Sequence, residues 1–176
     1  MTLDAIDVAL LRQMLTRPKV GMREYARELG LARATVQSRV DRLESAGVVR
    51  TWAPNISPAA LGFNVMALVH VHLRQGALNA VSDQMAAIPH VIEAYSTTGD
   101  ADLFCRVVAR DHSDLETVIQ EIIAIEGVVR TRSEIALSER VGCRVLPIVD
   151  LVAEQAPQSA RARLRPAAGQ HESPMA

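Results

Sequence analysis

The residues of this chain that are best suited to chemistry lie between positions 22 and 43, where arginines and small polar side chains alternate with apolar ones. Val36, Val40 and Leu43 stand at i, i+4 and i+7, so they predict one buried stripe along a helix. With about 100° between successive residues, the outer side of that helix carries four residues that can meet base edges: Ala34, Thr35, Gln37 and Ser38. Glutamine pairs with adenine through two hydrogen bonds, and alanine or threonine can contact the thymine methyl group.

Three arginines of the same helix can anchor it to a DNA backbone. Arg33, Arg39 and Arg42 are suited to phosphate contacts, which fix the register of a protein on DNA but carry no sequence information. Asp41 faces outward and would repel a phosphate, so we expect it beyond the edge of the groove. The alternative is a plain helical hairpin whose arginines form a solvated face.

The element before this helix completes a recognisable motif. Residues 22–29 predict a short helix, and Gly30 lies where the chain must reverse, a position that favours the left-handed backbone glycine adopts easily. Ala26 is small at the point where the two helices would cross. Turn glycine, small residue and apolar stripe together predict a DNA-binding helix-turn-helix whose second helix enters the major groove.

The charge distribution agrees with this assignment. The chain has 176 residues and a formal net charge of −1, so it is not a general polycation. Residues 1–50 hold 9 Arg and Lys against 6 Asp and Glu, a net of +3, whereas residues 51–150 hold 7 against 12, a net of −5. Positive charge therefore lies with the predicted DNA-binding segment.

Several other classes of protein are not indicated. The 2 cysteines are too few for a disulfide framework, and we find no metal-ligand spacing, no catalytic constellation and no cofactor motif. The N-terminus does not resemble a signal peptide, and the apolar runs are far shorter than the ~20 residues of a membrane span. We expect a soluble, cytoplasmic protein that is not an enzyme, with no metal or cofactor and no membrane partner.

The elements around the motif predict a small helical domain. Helices over 4–16, 22–29 and 33–46 would share one core, with Asp4 as the N-cap of the first. Residues 48–52 are rich in β-formers and suggest a short wing strand. Pro54, Pro58 and Gly62 then indicate a hinge over residues 53–64.

From residue 65 the pattern changes to alternating strands and helices. Strands are predicted over 65–73, 91–97, 103–109 and 128–137, and helices over 77–88 and 113–125, the latter begun by a capping box of Ser113 and Glu116. The order β-α-β-β-α-β is that of an α+β ferredoxin-like fold, an antiparallel sheet with both helices on one face. Residues 145–149 are a candidate fifth strand. We therefore divide the chain into 1–52, the hinge at 53–64, the ferredoxin-like domain at 65–150, and a disordered tail at 151–176 with three arginines, Arg161, Arg163 and Arg165.

This plan leaves one sheet face uncovered, and Met66, Leu68 and Phe104 would lie on it. An uncovered apolar face indicates a partner, and a second copy of the same sheet is the simplest one. We expect a homodimer, which would also let a helix-turn-helix bind two half-sites.

Four sequence stretches resemble the Lrp/AsnC (feast/famine) family of transcription regulators: LDAIDVALL at 3–11, LGLARATVQSRVDRLESAGVV at 29–49, ALG at 60–62 and TGDADL at 98–103. The resemblance implies dimers that assemble in some members into octamers, with an amino-acid effector bound in clefts between C-terminal domains. It also implies an effector site at a Gly-Asp turn, here Gly99 and Asp100 with Asp102 beside them, and with Thr98, Thr131 and Ser133 as further candidates. On sequence alone, this turn also reads as an ordinary tight hairpin.

One residue departs from the family pattern. Many relatives place a serine at the position of Ala32, where it can cap the second helix of the motif, and alanine forfeits ~1 kcal/mol of capping.

We predict a sequence-specific, DNA-binding transcriptional regulator of the Lrp/AsnC type that is modulated by an amino acid or a related small molecule. One alternative is an enzyme on the same plan, resembling sirohaem decarboxylases, with histidines available in His70, His72, His90 and His112. Another is an architectural protein that coats DNA without a ligand.

Overall fold

The structure, a computed structural model, describes residues 2–155. The described part of the chain divides into two compact units, one made of residues 2–53 with 142–155 and the other of residues 54–141. We refer to them as the helical unit and the sheet unit. None of the helices in the described part is long and apolar enough to cross a membrane, and residues 2–155 contain no group of three His, Cys, Asp or Glu side chains that could hold a metal.

The helical unit begins with the three predicted helices, α1 (Ala5–Thr16), α2 (Met22–Leu29) and α3 (Arg33–Ser45). Asp4 caps α1 as predicted, since its carboxylate accepts from the backbone N–H of Asp7 at 2.9 Å, and the Asp7 carboxylate accepts from the N–H of Asp4 at 3.0 Å. This reciprocal capping box satisfies two backbone donors that a helix N-terminus leaves free.

The turn between α2 and α3 has the predicted geometry. Gly30 adopts φ +63°, the left-handed conformation that residues with a Cβ rarely adopt, and the N–H of Leu31 then bonds the carbonyl of Ala26 at 2.9 Å. Ala26 itself is buried. These features confirm the helix-turn-helix in its sequence-predicted position.

The C-terminal part of the helical unit corrects two predictions. Residues 145–149 are not a fifth strand, because α6 (Leu146–Gln155) is a helix whose Val149 is buried in the core that α1, α2 and α3 share. Val145, Val149 and Val152 have helical spacing, and assigning 151 onward to a tail concealed that period. The expected boundary at residue 150 is therefore also wrong, since residues 142–155 group with the helical unit. Residues 156–176, including Arg161, Arg163 and Arg165, lie outside the described part of the chain.

The wing strand expected over residues 48–52 is also absent, because these residues form a bend followed by irregular chain. A strand requires a hydrogen-bonded neighbour, and β-propensity without such a neighbour gives only an extended segment. The indole N–H of Trp52 donates instead to the carboxylate of Glu44 on α3.

The sheet unit has the predicted topology. Its strands β1 (Val65–Leu73), β2 (Val91–Ser96), β3 (Leu103–Ala109) and β4 (Val128–Ile135) form an antiparallel sheet in the order β2-β3-β1-β4. Two helices, α4 (Leu78–Ala86) and α5 (His112–Ile123), pack on one face of it through a common core. The βαββαβ prediction is confirmed, with element ends displaced by two residues or fewer.

The start of α5 differs in one detail from the sequence prediction. Its N-cap is Asp111, whose carboxylate accepts from the N–H of Asp114 at 2.9 Å, and not the expected Ser113 with Glu116. Asp111 has the extended backbone that an N-cap needs, so the helix begins one residue before the expected position.

The uncovered sheet face is as predicted. Ala67, Val69 and Val71 on β1 point toward α4 and α5 and are fully buried. Met66 and Leu68 alternate with them, so they lie on the other face, where they are only partly buried.

Residues 53–64, expected as a hinge, contain a 3₁₀ turn at Ala59–Leu61. The ring of Phe63 contacts that of His90 edge-to-face, with 5.8 Å between the ring centroids.

Candidate functional site

Helix α3 presents the predicted residues to solvent. Val36, Val40 and Leu43 are buried to within 1 % of full burial, which fixes the rotation of the helix. The four candidate base-reading residues are all exposed: Ala34, Thr35, Gln37 and Ser38. An open depression of about 550 Å³ runs along this face and is lined by Ala34, Thr35, Ser38, Arg39 and Arg42. The helix therefore offers a continuous outer surface at its N-terminal half, where recognition helices meet bases.

Gln37 is hydrogen-bonded to Asp41, which the sequence placed on the outward face of α3. Its Nε2 donates to Oδ1 of Asp41 at 2.8 Å, one helical turn away. The carboxylate accepts but cannot donate, so this bond fixes which end of the amide is nitrogen. The carbonyl oxygen and the second N–H stay available for an adenine edge.

The three arginines assigned to phosphate contacts differ in their surroundings. Within residues 2–155 the guanidinium of Arg33 has no hydrogen bond or ion pair. Arg39 donates through Nη1 to Asp4 at 2.7 Å and to Asp7 at 2.7 Å, and its side chain is only 22 % exposed. Arg42 donates to Asp7 at 2.5 Å and is 48 % exposed.

Asp7 is the centre of these contacts. It is the one fully buried charged residue of the described chain, and it accepts from Arg39 through Oδ1 and from Arg42 through Oδ2. Its Oδ2 also accepts from the N–H of Asp4 in the capping box. We call the four residues Asp4, Asp7, Arg39 and Arg42 the Asp–Arg cluster. It carries no net charge and joins the N-terminus of α1 to α3.

The pKa of Asp4 reflects this environment. Partial burial alone would raise the pKa of this carboxyl, but the hydrogen bonds from Arg39 and from the N–H of Asp7 outweigh burial, so the pKa lies below its ordinary value of 3.8. Asp4 is therefore ionised at neutral pH, as an acceptor in a charge-assisted bond must be.

The N-terminus of α3 has no side-chain cap, as its sequence implied. Ala32 stands at the N-cap position with an extended backbone and offers no acceptor. The first N–H groups of α3 are thus free of side-chain partners at the end of the helix that carries positive partial charge, where an anion is favoured.

The candidate effector turn between β2 and β3 is open. Thr98, Gly99 and Asp100 are all exposed, and Gly99 adopts φ +142°. The carboxylate of Asp100 lies 3.8 Å from the guanidinium of Arg130 on β4, and both side chains are more than 60 % exposed. The turn thus combines free backbone groups, a carboxylate and a guanidinium at the surface.

Asp102 has a structural partner. Its Oδ2 accepts from the N–H of Leu73 at 2.7 Å, at the end of β1, and its own N–H donates to the carbonyl of Val71. Asp102 therefore holds the turn against the neighbouring strand. It differs in this from Asp100, whose carboxylate faces solvent.

Thr131 and Ser133 lie on the opposite sheet face from the guanidinium that meets Asp100. In the β1–β4 register they stand opposite Val71 and Val69, whose side chains point to the helices. Arg130, which alternates with Thr131, stands opposite His72 and contacts its ring nitrogen at 3.1 Å. The structure brings Asp100 near Arg130, and the contribution of Thr131 and Ser133 to an effector site stays a prediction.

The histidines considered for an enzymatic site are separated along the sheet unit. His70 packs edge-to-face on Phe104 at 5.2 Å, and His72 contacts Arg130. His90 Nε2 lies 3.7 Å from Asp114. His112 is the first residue of α5, so each of the four has a different set of neighbours.

Sequence reasoning missed Asp7, Asp41 and Arg130 as members of the candidate sites. A signal existed for Asp41, because its i+4 spacing from Gln37 on a helix predicts contact. Asp7 pairs with Arg39, and Arg130 lies near Asp100, in each case more than 28 positions away in the sequence. No local sequence pattern predicts such pairs.

Two stretches of the chain match models of known protein families. Residues 3–50 match the model for the winged helix-turn-helix DNA-binding domain, and residues 66–146 match the model for the Lrp/AsnC ligand binding domain. The chain is similar to the HTH-type transcriptional regulator FL11 of Pyrococcus furiosus, with 30 % identity over 146 residues that span 83 % of this chain and 97 % of that protein.

Solved structures resemble the chain over a similar extent. The feast or famine regulatory protein from M. tuberculosis, solved in complex with L-methionine, has 32 % identity and a TM-score of 0.74, covering 81 % of this chain and 97 % of that one. AsnC from E. coli has a TM-score of 0.76 and covers 84 % of this chain and 100 % of its own, but at 24 % identity it supports the fold alone.

Proposed function

The chain belongs to the Lrp/AsnC family of transcriptional regulators, and from that premise we propose how its residues perform DNA binding and effector sensing. It is a DNA-binding regulator modulated by a small molecule. We propose that α3 reads operator DNA, that the sheet units pair into a homodimer, and that an amino acid binds at the β2–β3 turn.

The observation that carries the DNA contact is the exposed face of α3. The buried stripe leaves Ala34, Thr35, Gln37 and Ser38 as the outward surface of the N-terminal half of the helix. Arg33 lies at its first position with an unengaged guanidinium, beside the uncapped N–H groups that also favour a phosphate. Base readout and backbone anchoring thus meet at one end of one helix.

The open sheet face supports the homodimer. Leu68 on β1 and Phe104 on β3 lie on it among charged side chains. Arg106, opposite Leu68, pairs with Glu93 at 2.8 Å, and Arg132 on the edge strand β4 pairs with Glu134 at 2.5 Å. Aromatic and arginine side chains are both enriched at protein interfaces, and a two-fold pairing of identical sheets would cover the apolar part.

Charge and geometry support an amino-acid effector at the turn. A carboxylate can accept hydrogen bonds from exposed turn N–H groups around Gly99 and can pair with Arg130, while Asp100 can accept from an α-ammonium. A relative with 32 % identity has been solved with L-methionine, which makes this amino acid the first candidate. Because the turn is exposed in a single chain, we propose that a neighbouring copy completes the site.

The comparisons favour the regulator over the alternatives of a sirohaem-decarboxylase-like enzyme and a ligand-independent architectural protein. We propose that it acts in the cytoplasm, where bacterial and archaeal regulators meet the chromosome.

The first experiment measures DNA binding by fluorescence anisotropy on the DNA upstream of the protein's own gene. Binding that exceeds binding to a scrambled duplex and weakens steeply with salt is expected of a specific regulator. Equal binding to both duplexes would contradict sequence-specific recognition, and L-methionine followed by the other amino acids tests whether affinity shifts.

A second experiment tests the homodimer. Phe104→Glu places a charge on the open face and is expected to convert dimers to monomers in sedimentation velocity. Arg50→Glu, an exposed change in the helical unit, is the control. A Phe104→Glu chain that still sediments as a dimer would place the interface elsewhere.

A further inference from the structure

The Asp–Arg cluster gives the arginines of α3 unequal roles, an assignment that rests on the proposed reading of DNA by this helix. We propose that Asp7 is a positioning residue that sets the orientation of α3 on α1 through Arg39 and Arg42, and that Arg39 does not contact DNA phosphates.

The first ground is the accessibility of Arg39. Its side chain is 22 % exposed, against 48 % for Arg42, and its Nη1 faces two carboxylates at 2.7 Å. A phosphate that approached Arg39 would also approach the charges of Asp4 and Asp7, which repel it. Most of the attraction that an isolated arginine offers is therefore cancelled at this position.

The second ground is the connectivity of Asp7. This carboxylate accepts from the capping N–H of α1 and from both arginines of α3, and Asp4 beside it accepts from Arg39 as well. The apolar residues of the two helices share one core. Apolar packing tolerates small rotations of a helix, but charge-assisted hydrogen bonds impose direction as well as distance. A buried carboxylate whose two oxygens both accept hydrogen bonds is thus suited to fix the angle between α3 and α1.

The third ground is the contrast within one helix. Arg33 is exposed and unengaged, Arg42 is half exposed and uses only Nη2 toward Asp7, and Arg39 is mostly covered. Arg42 can therefore bridge Asp7 to a phosphate through its remaining donors. Of the three arginines, Arg33 is expected to contribute a full phosphate contact, and Arg39 none.

The test compares Arg39→Gln with Arg33→Ala in the full chain. The probes are a duplex enriched by this protein from a random-sequence library and a scrambled duplex of equal composition, each titrated at four salt concentrations. For Arg33→Ala we expect the slope of log K against log salt to fall by about one with little change in specificity. For Arg39→Gln we expect an unchanged slope, and a ratio of specific to scrambled affinity that falls at least about fivefold, as after loss of one base contact.

Two outcomes would overturn the assignment. A slope for Arg39→Gln that falls as it does for Arg33→Ala would make Arg39 a phosphate contact. An unchanged affinity ratio for Arg39→Gln, measured well below the melting temperature, would reduce the cluster to a stabilising role.

Asp7→Asn is expected to lower the affinity ratio in the same way as Arg39→Gln. The double variant of Asp7→Asn with Arg39→Gln is expected to be no worse than the more severe single variant, because both changes act through one cluster.

Asp4→Asn serves if the Asp7 or Arg39 variants do not fold. Asp4 is 51 % exposed, and asparagine remains a good N-cap, so α1 should persist while Arg39 loses one anchor. A smaller fall of the affinity ratio at constant slope supports the proposal, and a constant ratio contradicts it. If the unaltered chain shows no salt-dependent DNA binding, the proposed function itself fails, a result distinct from any difference among variants.

Discussion

The two candidate sites of this protein are built in different ways. The outer face of α3 is held by contacts within one unit, with a fully buried stripe on one side and the Asp–Arg cluster at its flank. The β2–β3 turn is held at its base, where Asp102 bonds the end of β1 and the hydroxyl of Thr97 donates to the carbonyl of Ala101. Above it, Thr98 and Asp100 meet solvent.

This difference teaches where each site obtains its rigidity. A helix that must present several side chains to a duplex needs its orientation fixed before binding. A mobile helix would lose conformational entropy on binding, and this loss would weaken the affinity. A turn that senses a small molecule needs to change when the ligand arrives, and exposed turns have the lower local stability that such change requires. In our proposal the DNA site is complete in one chain, whereas a ligand and a second copy complete the effector site.

The largest expected effect comes from removing the support of α3. Leu43→Ala deletes a fully buried side chain and is expected to cost about 2–5 kcal/mol of unfolding free energy in the helical unit. Trp52, the single tryptophan of the chain, lies in that unit, so its fluorescence during urea unfolding reports the change. Leu137→Ala, at a 96 % exposed position, is the control and should stay within about 0.5 kcal/mol.

A second prediction concerns the backbone of the effector turn. Gly99→Val forces a β-branched residue to φ +142°, which costs about 1–3 kcal/mol, and the turn is expected to rearrange. DNA affinity without effector should stay unchanged, while the response to the amino acid is lost. Gly21→Ala is the control, since Gly21 has an ordinary φ of −91° and open space around it. Loss of DNA binding in Gly99→Val would show that the sites are not separate.

A third change sharpens the comparison at the base-reading face. Gln37→Ala is expected to remove about 1–3 kcal/mol of discrimination at one adenine position and to leave binding to scrambled DNA unchanged, measured by selection from a random library. Ser45→Ala, at the exposed far end of α3, is the control. An unaltered base preference in Gln37→Ala would exclude this side chain from sequence reading.

The smallest effect is expected from acid. The pKa values of Asp4 and Asp114 both lie below the ordinary 3.8, because of the bond from Arg39 that outweighs burial in one case and the backbone and side-chain bonds from Arg110 in the other. A lowered pKa contributes stability that is present above the unfolded value of 3.8 and is lost as pH falls through the folded pKa. Urea midpoints should therefore be constant from pH 7 to about pH 5 and fall below about pH 4. Asp4→Asn should flatten the fall of the urea midpoint that is read from Trp52 fluorescence, because Asp4 and Trp52 both lie in the helical unit.

Much of the fold could be predicted because its signals are local. The βαββαβ order follows from alternation of period 2 and period 3.6, and the α2–α3 turn follows from a glycine at a position that requires positive φ. Helix α6 was missed because a tail beginning at residue 151 interrupts its helical period, and because its core partners include α1, more than a hundred residues earlier in the chain. The wing strand was wrongly predicted because β-propensity indicates an extended chain but not a partner for it.

Within the candidate sites, the sequence by itself determined which residues of α3 face outward, since helical geometry converts the spacing of Val36, Val40 and Leu43 into a direction. It also determined the turn at Gly99, whose residue type matches its backbone. Only the tertiary structure decided that Arg39 is engaged while Arg33 is free, and that Asp100 meets Arg130 and not Thr131. The physical reason is distance along the chain: ion pairs form wherever folding brings opposite charges together, and no periodicity in the sequence encodes that meeting.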